Sequence, residues 1–150
     1  MKQFNLLVVT LIFMVLVSCK EKTRAEKSNN EKTVNKVEVI DFHSTHRCMT
    51  CNAIEDNTRY TLESYFAEEL KNENITFLVV NVDDEENYKI AEKFEATGTA
   101  LFLNVIVDGK ETPIDLTNFA FLNGTDKEVF SKELRIKIDK ELKKIINGAS

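Results

Sequence analysis

A chain of 150 residues with a net charge of −5 has room for one ordinary domain and no basic face to collect phosphates, so nucleic acid is not expected as a partner. Its 43% hydrophobic and 30% charged residues balance as in a soluble globular chain, not a disordered one. There are three cysteines and two histidines, and both histidines fall just before the second cysteine.

The first element reads as an address. Lys2 precedes an apolar run from Phe4 to Val17 broken only by Asn5 and Thr10. A bilayer span takes about 20 apolar residues, so this run suits the core of a signal peptide better than a membrane helix. It ends in Leu16-Val17-Ser18-Cys19, which resembles a bacterial lipobox, where the cysteine is lipidated and begins the mature chain. The alternative is a short anchor that stays attached. Residues 1–18 are therefore expected to be a lipoprotein signal peptide, and the protein extracytoplasmic, periplasmic or on the cell surface, held to a bacterial membrane through Cys19. Acylation with more than one chain makes such anchoring stable. With Cys19 set aside, two cysteines remain, in an oxidising or redox-managed compartment. Residues 19–35 hold almost nothing apolar beyond Ala25 and Val34, which predicts a disordered tether.

The folded domain is expected over 36–148. Val37 to His43 is β-branched and aromatic, a strand. Cys51, Ile54, Thr58, Leu62, Phe66 and Leu70 step by three or four, predicting a helix from Thr50 to Leu70. Ile75 to Val82 is so apolar that both sheet faces are expected to be covered. Asp83 to Glu86 put acids in the first turn of a short helix carrying Ile90, Ala91 and Phe94. Leu101 to Val107 is a third strand, and Asp108-Gly109 signals a hairpin into a fourth over Thr112 to Leu116. Thr125-Asp126-Lys127-Glu128 reads as a capping box opening a last helix, with Phe130, Leu134, Ile138, Leu142 and Ile145 on one stripe. The sum is an α/β fold of order βαβαββα around a mixed four-stranded sheet.

The chemistry gathers where the first strand ends. Cys48 falls at the helix start and Cys51 one turn inside, near enough for a disulfide after small adjustment. The helix amino-terminus favours an anion, so Cys48 is expected to have a lowered pKa, with Arg47 and protonated His46 acting in the same sense. Cys48 is then the nucleophile and Cys51 the resolving thiol. Two alternatives stay open. His43, His46, Cys48 and Cys51 are four soft ligands within nine positions and would suit zinc or copper. The pair could also be a structural disulfide in a non-catalytic binding module.

Ile40-Asp41-Phe42, Cys48-x-x-Cys51 opening a helix, Val80-Asn81-Val82-Asp83, Ala91-Glu92-Lys93-Phe94 and Thr97-Gly98 together resemble the thioredoxin superfamily across residues 36 to 146. More narrowly, His43-x-x-His46-Arg47-Cys48-x-Thr50-Cys51-Asn52 with Asp115 to Phe121 is similar to bacterial proteins of the ArsF-type nitrophenyl compound nitroreductase subunit family. That name implies nitroreduction, but no residues here would bind a flavin or nicotinamide, and the activity is not carried over. The broader resemblance implies a three-layer thioredoxin-like fold, thiol–disulfide exchange with protein partners, a monomer and no cofactor. It implies Asp41 as a possible proton acceptor for the resolving cysteine, against the plainer alternative of a solvated strand-end carboxylate. Three departures stand out. The spacing from Asp41 to Cys48 is one residue longer, the family's nearby tryptophans are replaced by His43 and His46-Arg47, and Thr99-Ala100 stands where the family has a cis-proline. Substrate docking would fall on Thr99 and Ala100, with the peptide bond there trans or the loop reshaped. Leu116 to Leu122 is expected to pack under the last helix, with a partner-docking loop as the alternative. Met49 is expected to be a surface filler and not a thioether ligand.

Overall fold

Alternation of β-branched and aromatic residues builds the first strand, and it has a consequence for the site. In β1 (Lys36–His43), Val37, Val39 and Asp41 point to one sheet face while Ile40 and Phe42 point to the other. The computed structural model describes residues 35–148, with side chains as far as 145. The stretch expected to be a signal peptide, Cys19, and the expected tether up to residue 34 lie outside the described residues. Asn35, placed in the tether by its polarity, is tied to the domain, because its Oδ1 accepts the Asp108 backbone N–H at 2.8 Å.

After β1 come α1 (Met49–Tyr65), α2 (Ala67–Lys71), β2 (Ile75–Asn81), a 3-10 turn (Glu85–Asn87), α3 (Tyr88–Lys93), β3 (Ala100–Val107), β4 (Lys110–Asp115), α4 (Thr117–Asn123) and α5 (Lys127–Gly148). The sheet order is β2-β1-β3-β4. β1 and β2 run parallel; β3 is antiparallel to β1 and to β4. This is the mixed four-stranded α/β arrangement that the element order implies. The β3–β4 hairpin turns on Asp108 (φ 51°) and Gly109 (φ 77°), both left-handed as the tight two-residue turn requires.

Two cores cover the two faces. Val37, Val39, Leu101, Leu103 and Val105 pack against Ile54 and Leu62 of α1 and Phe130, Leu134 and Ile138 of α5. On the other face Phe42, Phe94 and Phe102 form a triangle with ring centroids 5.3–5.9 Å apart, joined by Ile40, Val80 and Ala96. Each fully buried side chain of this size stabilises the fold by about 1.5–3 kcal/mol relative to exposure.

The structure corrects several boundaries and contacts. The long helix breaks at Phe66 (φ −133°, ψ 28°), whose ring turns into the core. Its N–H still bonds the Leu62 carbonyl at 2.9 Å, so the apolar spacing continues through a break that periodicity cannot register. β2 is a sheet edge, and Leu78 and Val79 are 37% and 39% exposed instead of covered on both faces. The acids after β2 lie in and beside the 3-10 turn, and α3 begins only at Tyr88. β4 begins two residues nearer the hairpin, at Lys110, and ends one residue earlier, at Asp115, leaving Leu116 beyond it. The cap of α5 is Asp126 and not Thr125: its Oδ1 accepts the Val129 N–H at 3.1 Å. Finally, Thr117–Asn123 forms a helix of its own. Its Phe119 stacks on Phe130 at 5.2 Å and Ala120 is buried, as packing under the last helix requires, but Phe121 and Leu122 are exposed.

Candidate functional site

The carboxyl end of β1 delivers residues 43–48 to the amino-terminus of α1, and the loop is held from below by the end of β2. The Thr45 N–H donates to Asp83 Oδ2 at 2.7 Å, and Asn81 Nδ2 donates to Thr45 Oγ1 at 3.2 Å. Hydrogen bonds from Thr45 to Asp83, its backbone N–H foremost, hold the Asp83 carboxyl below the usual range.

Cys48 caps α1. Its backbone is extended (φ −77°, ψ 167°), and its Sγ accepts the Cys51 N–H at 3.1 Å. A sulfur thus stands where a serine or aspartate oxygen usually caps a helix. The two cysteines form a disulfide with Cα atoms 5.0 Å apart. They differ in access: Cys48 is exposed, whereas Cys51 is 7% exposed and faces the core.

Behind the disulfide lies a charged cluster. Asp41 is fully buried on the α1 side of the sheet, and burial pushes its pKa up to about 7, although the Arg47 guanidinium pulls it down. Arg47 does not reach outward toward solvent. Its Nη2 donates to Asp41 Oδ2 at 3.4 Å and to the Cys51 carbonyl at 3.2 Å, and its Nη1 pairs with Glu55 Oε2. Glu55 also takes a bond from Arg59 at 2.8 Å; burial pushes its carboxyl up, but the bonds to Arg47 and Arg59 outweigh this and hold it below the usual range. Asp41 Oδ1 has no hydrogen-bond partner among the described residues. A buried carboxyl near half-protonation at neutral pH can take or give a proton.

The histidines go elsewhere. His43 Nδ1 lies 2.9 Å from the Ser44 carbonyl, and His46 is exposed. Among the described residues, no three His, Cys, Asp or Glu side chains gather as a metal cluster would. His43, His46, Cys48 and Cys51 are therefore close in sequence but not assembled as a ligand set in the disulfide form. Thr99 and Ala100 lie where β3 begins, beside the carboxyl end of β1. Ala100 pairs with Phe42 across β1–β3, and Gly98 passes close to Ser44. No cis peptide bond occurs among the described residues, so the Thr99–Ala100 bond is trans. Both residues line an open groove of about 620 Å³ that runs toward Pro113, Asp115 and Asn118.

No family model matches the chain. No curated protein matches it either. Among solved structures, it is similar to mitochondrial thioredoxin 3 from Saccharomyces cerevisiae in its oxidised form, at 24% identity and TM-score 0.39 over 61% of this chain and 77% of that one. It is similar to Fasciola hepatica thioredoxin at 22% identity and TM-score 0.38, covering 60% of this chain and 78% of that one. A malarial protein matches at 18% identity and TM-score 0.38, over 61% of this chain and 99% of its own. What the site can do follows from its own side chains.

Three contributors escaped the sequence reading. Glu55 sits four residues after Cys51, on the same helix face, and that spacing was the available signal. Asn81 and Asp83 belong to the Val80-Asn81-Val82-Asp83 stretch, whose polar members mark the point where β2 leaves the sheet to hold the loop.

Proposed function

We propose that the protein is a lipid-anchored, extracytoplasmic thiol–disulfide oxidoreductase working through Cys48 and Cys51. One observation carries the reading: the exposed Cys48 sulfur accepts the Cys51 N–H at a helix amino-terminus while Cys51 is buried. In the dithiol state the same N–H and the helix dipole favour the Cys48 thiolate over the thiol.

The thiolate of Cys48 attacks a partner disulfide, forming a mixed disulfide and releasing one partner thiolate. Cys51 then gives up its proton and its sulfur attacks Cys48 Sγ. That closes the intramolecular disulfide and releases the second partner thiolate, so two electrons have passed to the partner. The reverse sequence oxidises a partner dithiol. Asp41 is the acceptor for the Cys51 proton in this reading. Arg47 supports it, because one guanidinium bonds both the Asp41 carboxyl and the Cys51 carbonyl. Thr99 and Ala100 present the neighbouring strand end to the partner. The lipobox-like Leu16-Val17-Ser18-Cys19 supports the anchor, and the narrower likeness to the ArsF-type family is kept as a likeness of motif, without nitroreduction.

One experiment tests both halves. Cells producing the full chain are fractionated, and thiols are tagged with a maleimide polymer before and after reduction. The protein is expected to lie in the membrane fraction, to gain two tags only after reduction, and to take up labelled palmitate, which Cys19→Ser does not. A soluble wild-type protein would overturn the anchor. Two tags gained without reduction, and no tag-resistant form after an oxidant, would overturn the redox pair.

A further inference from the structure

Positive charge is segregated along this acidic chain. Residues 35–126 carry eighteen acids against seven cations, whereas α5 carries seven cations against four acids. The stretch from Lys20 to Val34, which leads back to Cys19, is basic as well, with five cations against three acids. The net charge therefore hides a basic helix on an acidic body. At physiological salt the screening length is about 8 Å, so what meets α5 responds to the charges facing it and not to the molecule's total.

The cations of α5 are sorted around the helix. Phe130, Leu134 and Ile138 are buried against the sheet, which turns Val129, Lys132, Ile136, Lys140 and Lys143 to solvent on the opposite side. Their spacing of three, four, four and three residues sets them on one stripe about 21 Å long. No acid falls on that stripe; Glu128, Glu133 and Asp139 lie to either side of it. Arg135 and Lys144 are paired with Asp139 and Glu141, but Lys132, Lys140 and Lys143 make no ion pair among the described residues. Between these lysines, Val129 and Ile136 are 41% and 52% exposed. At the amino-terminal end of the stripe, Lys132 shares an open groove with Tyr60 and Tyr65, whose rings lie under Lys127 and Arg135.

We infer that the outer face of α5 docks on an anionic lipid surface, with the lysine ammonium groups among the headgroup phosphates and Val129 and Ile136 at the acyl boundary. Charge complementarity sets the occupant. Unpaired lysines alternating with exposed apolar side chains suit a layer that is anionic at its surface and apolar just below. A hydrophilic acidic protein would leave Val129 and Ile136 without a partner. The inference rests on the anchored reading for proximity. The 16 residues from Cys19 to Val34 span at most about 55 Å when fully extended, so the domain stays beside the bilayer. Each lysine held near an anionic bilayer strengthens attachment roughly fivefold, and three together about 100-fold.

The test uses the full chain, purified from bacterial membranes and added to vesicles of phosphatidylcholine with or without phosphatidylglycerol. The vesicles are floated, and lysines are briefly acetylated and located by mass spectrometry. Lys132, Lys140 and Lys143 are expected to react about 10-fold more slowly on the phosphatidylglycerol vesicles, as a docked fraction of about nine-tenths requires. The exposed Lys71, Lys89 and Lys110, which lie off α5, should react alike on both. Ile136→Glu, at an exposed position outside the core, should restore the reactivity of Lys132 and Lys140. Equal reactivity on both vesicles, or undiminished protection in the variant, would overturn the docking and leave the anchor standing. Lysines free on both vesicles but protected in native envelopes would give the stripe to an acidic protein and overturn the lipid surface. Protein that floats only with phosphatidylglycerol would overturn the anchor and support the docking. Protein that floats with neither would overturn both.

Discussion

Cys51→Ser protein, mixed while reduced with a disulfide-bearing protein, is expected to accumulate a covalent adduct through Cys48. Cys48→Ser should form none. The asymmetry follows from access and polarity together. Cys48 is exposed and its sulfur receives a backbone N–H at a helix amino-terminus, whereas Cys51 is 7% exposed against the core. With the resolving sulfur gone, the mixed disulfide has no intramolecular route to release, and the adduct persists on the minutes-to-hours scale of uncatalysed exchange. Turnover should fall by at least about 100-fold in both variants, while only Cys51→Ser yields a higher-mass band lost on reduction. Adducts forming equally through either cysteine would contradict the assignment of roles.

The second large effect belongs to Asp41. Its carboxyl titrates near 3.8 in an unfolded chain and at about 7 in the folded protein, chiefly because it is buried. The sign follows from linkage. Between those values the folded state holds a proton that the unfolded state has lost, so the group's contribution to stability falls as pH rises from about 4 to about 7 and is level above that. At about 1.4 kcal/mol for each pH unit, ionising Asp41 in place costs on the order of 4 kcal/mol. Asp41→Asn removes that cost. Melting temperatures of wild type and variant, compared across pH 4 to 8, should shift in the variant's favour as pH rises. Exchange should respond in the opposite sense, because the variant has no acceptor for the Cys51 proton. Closure of the disulfide should slow by about 100-fold, and its inflection near neutral pH should disappear. A stability difference independent of pH would mean that Asp41 is ionised throughout, held so by Arg47.

Much of this was legible in the residues, for reasons that particular positions make clear. The alternation in Val37 to His43 and the left-handed pair Asp108-Gly109 are local signals, and local structure obeyed them. Cys48 could be placed at a helix start because extended and helical patterns meet there. Other features depend on what lies opposite. Leu78 and Val79 look like the middle of a sheet because their run is apolar, and only the strand order puts β2 at an edge. Phe66 keeps the helical spacing while its backbone leaves the helix. Arg47 reads as a charge that lowers the Cys48 pKa, yet its guanidinium turns inward to two carboxylates from different elements. That turn is set by Asp41 being on the α1 face of β1, a matter of register and not of neighbouring sequence. Likewise His43 and His46 share a short stretch with the cysteines, but among the described residues no three such side chains gather in the disulfide form.

The arrangement gives the two sulfurs unequal chemistry, and the most direct measurement is the rate at which each is alkylated by iodoacetamide in the fully reduced protein as pH is varied. Cys48 should react fast, with half-maximal rate well below the value of about 8.5 for a free thiol, and Cys51 should be protected at every pH at which the fold persists. Cysteines that alkylate alike, with midpoints at or above that value, would contradict a nucleophile prepared at the amino-terminus of α1.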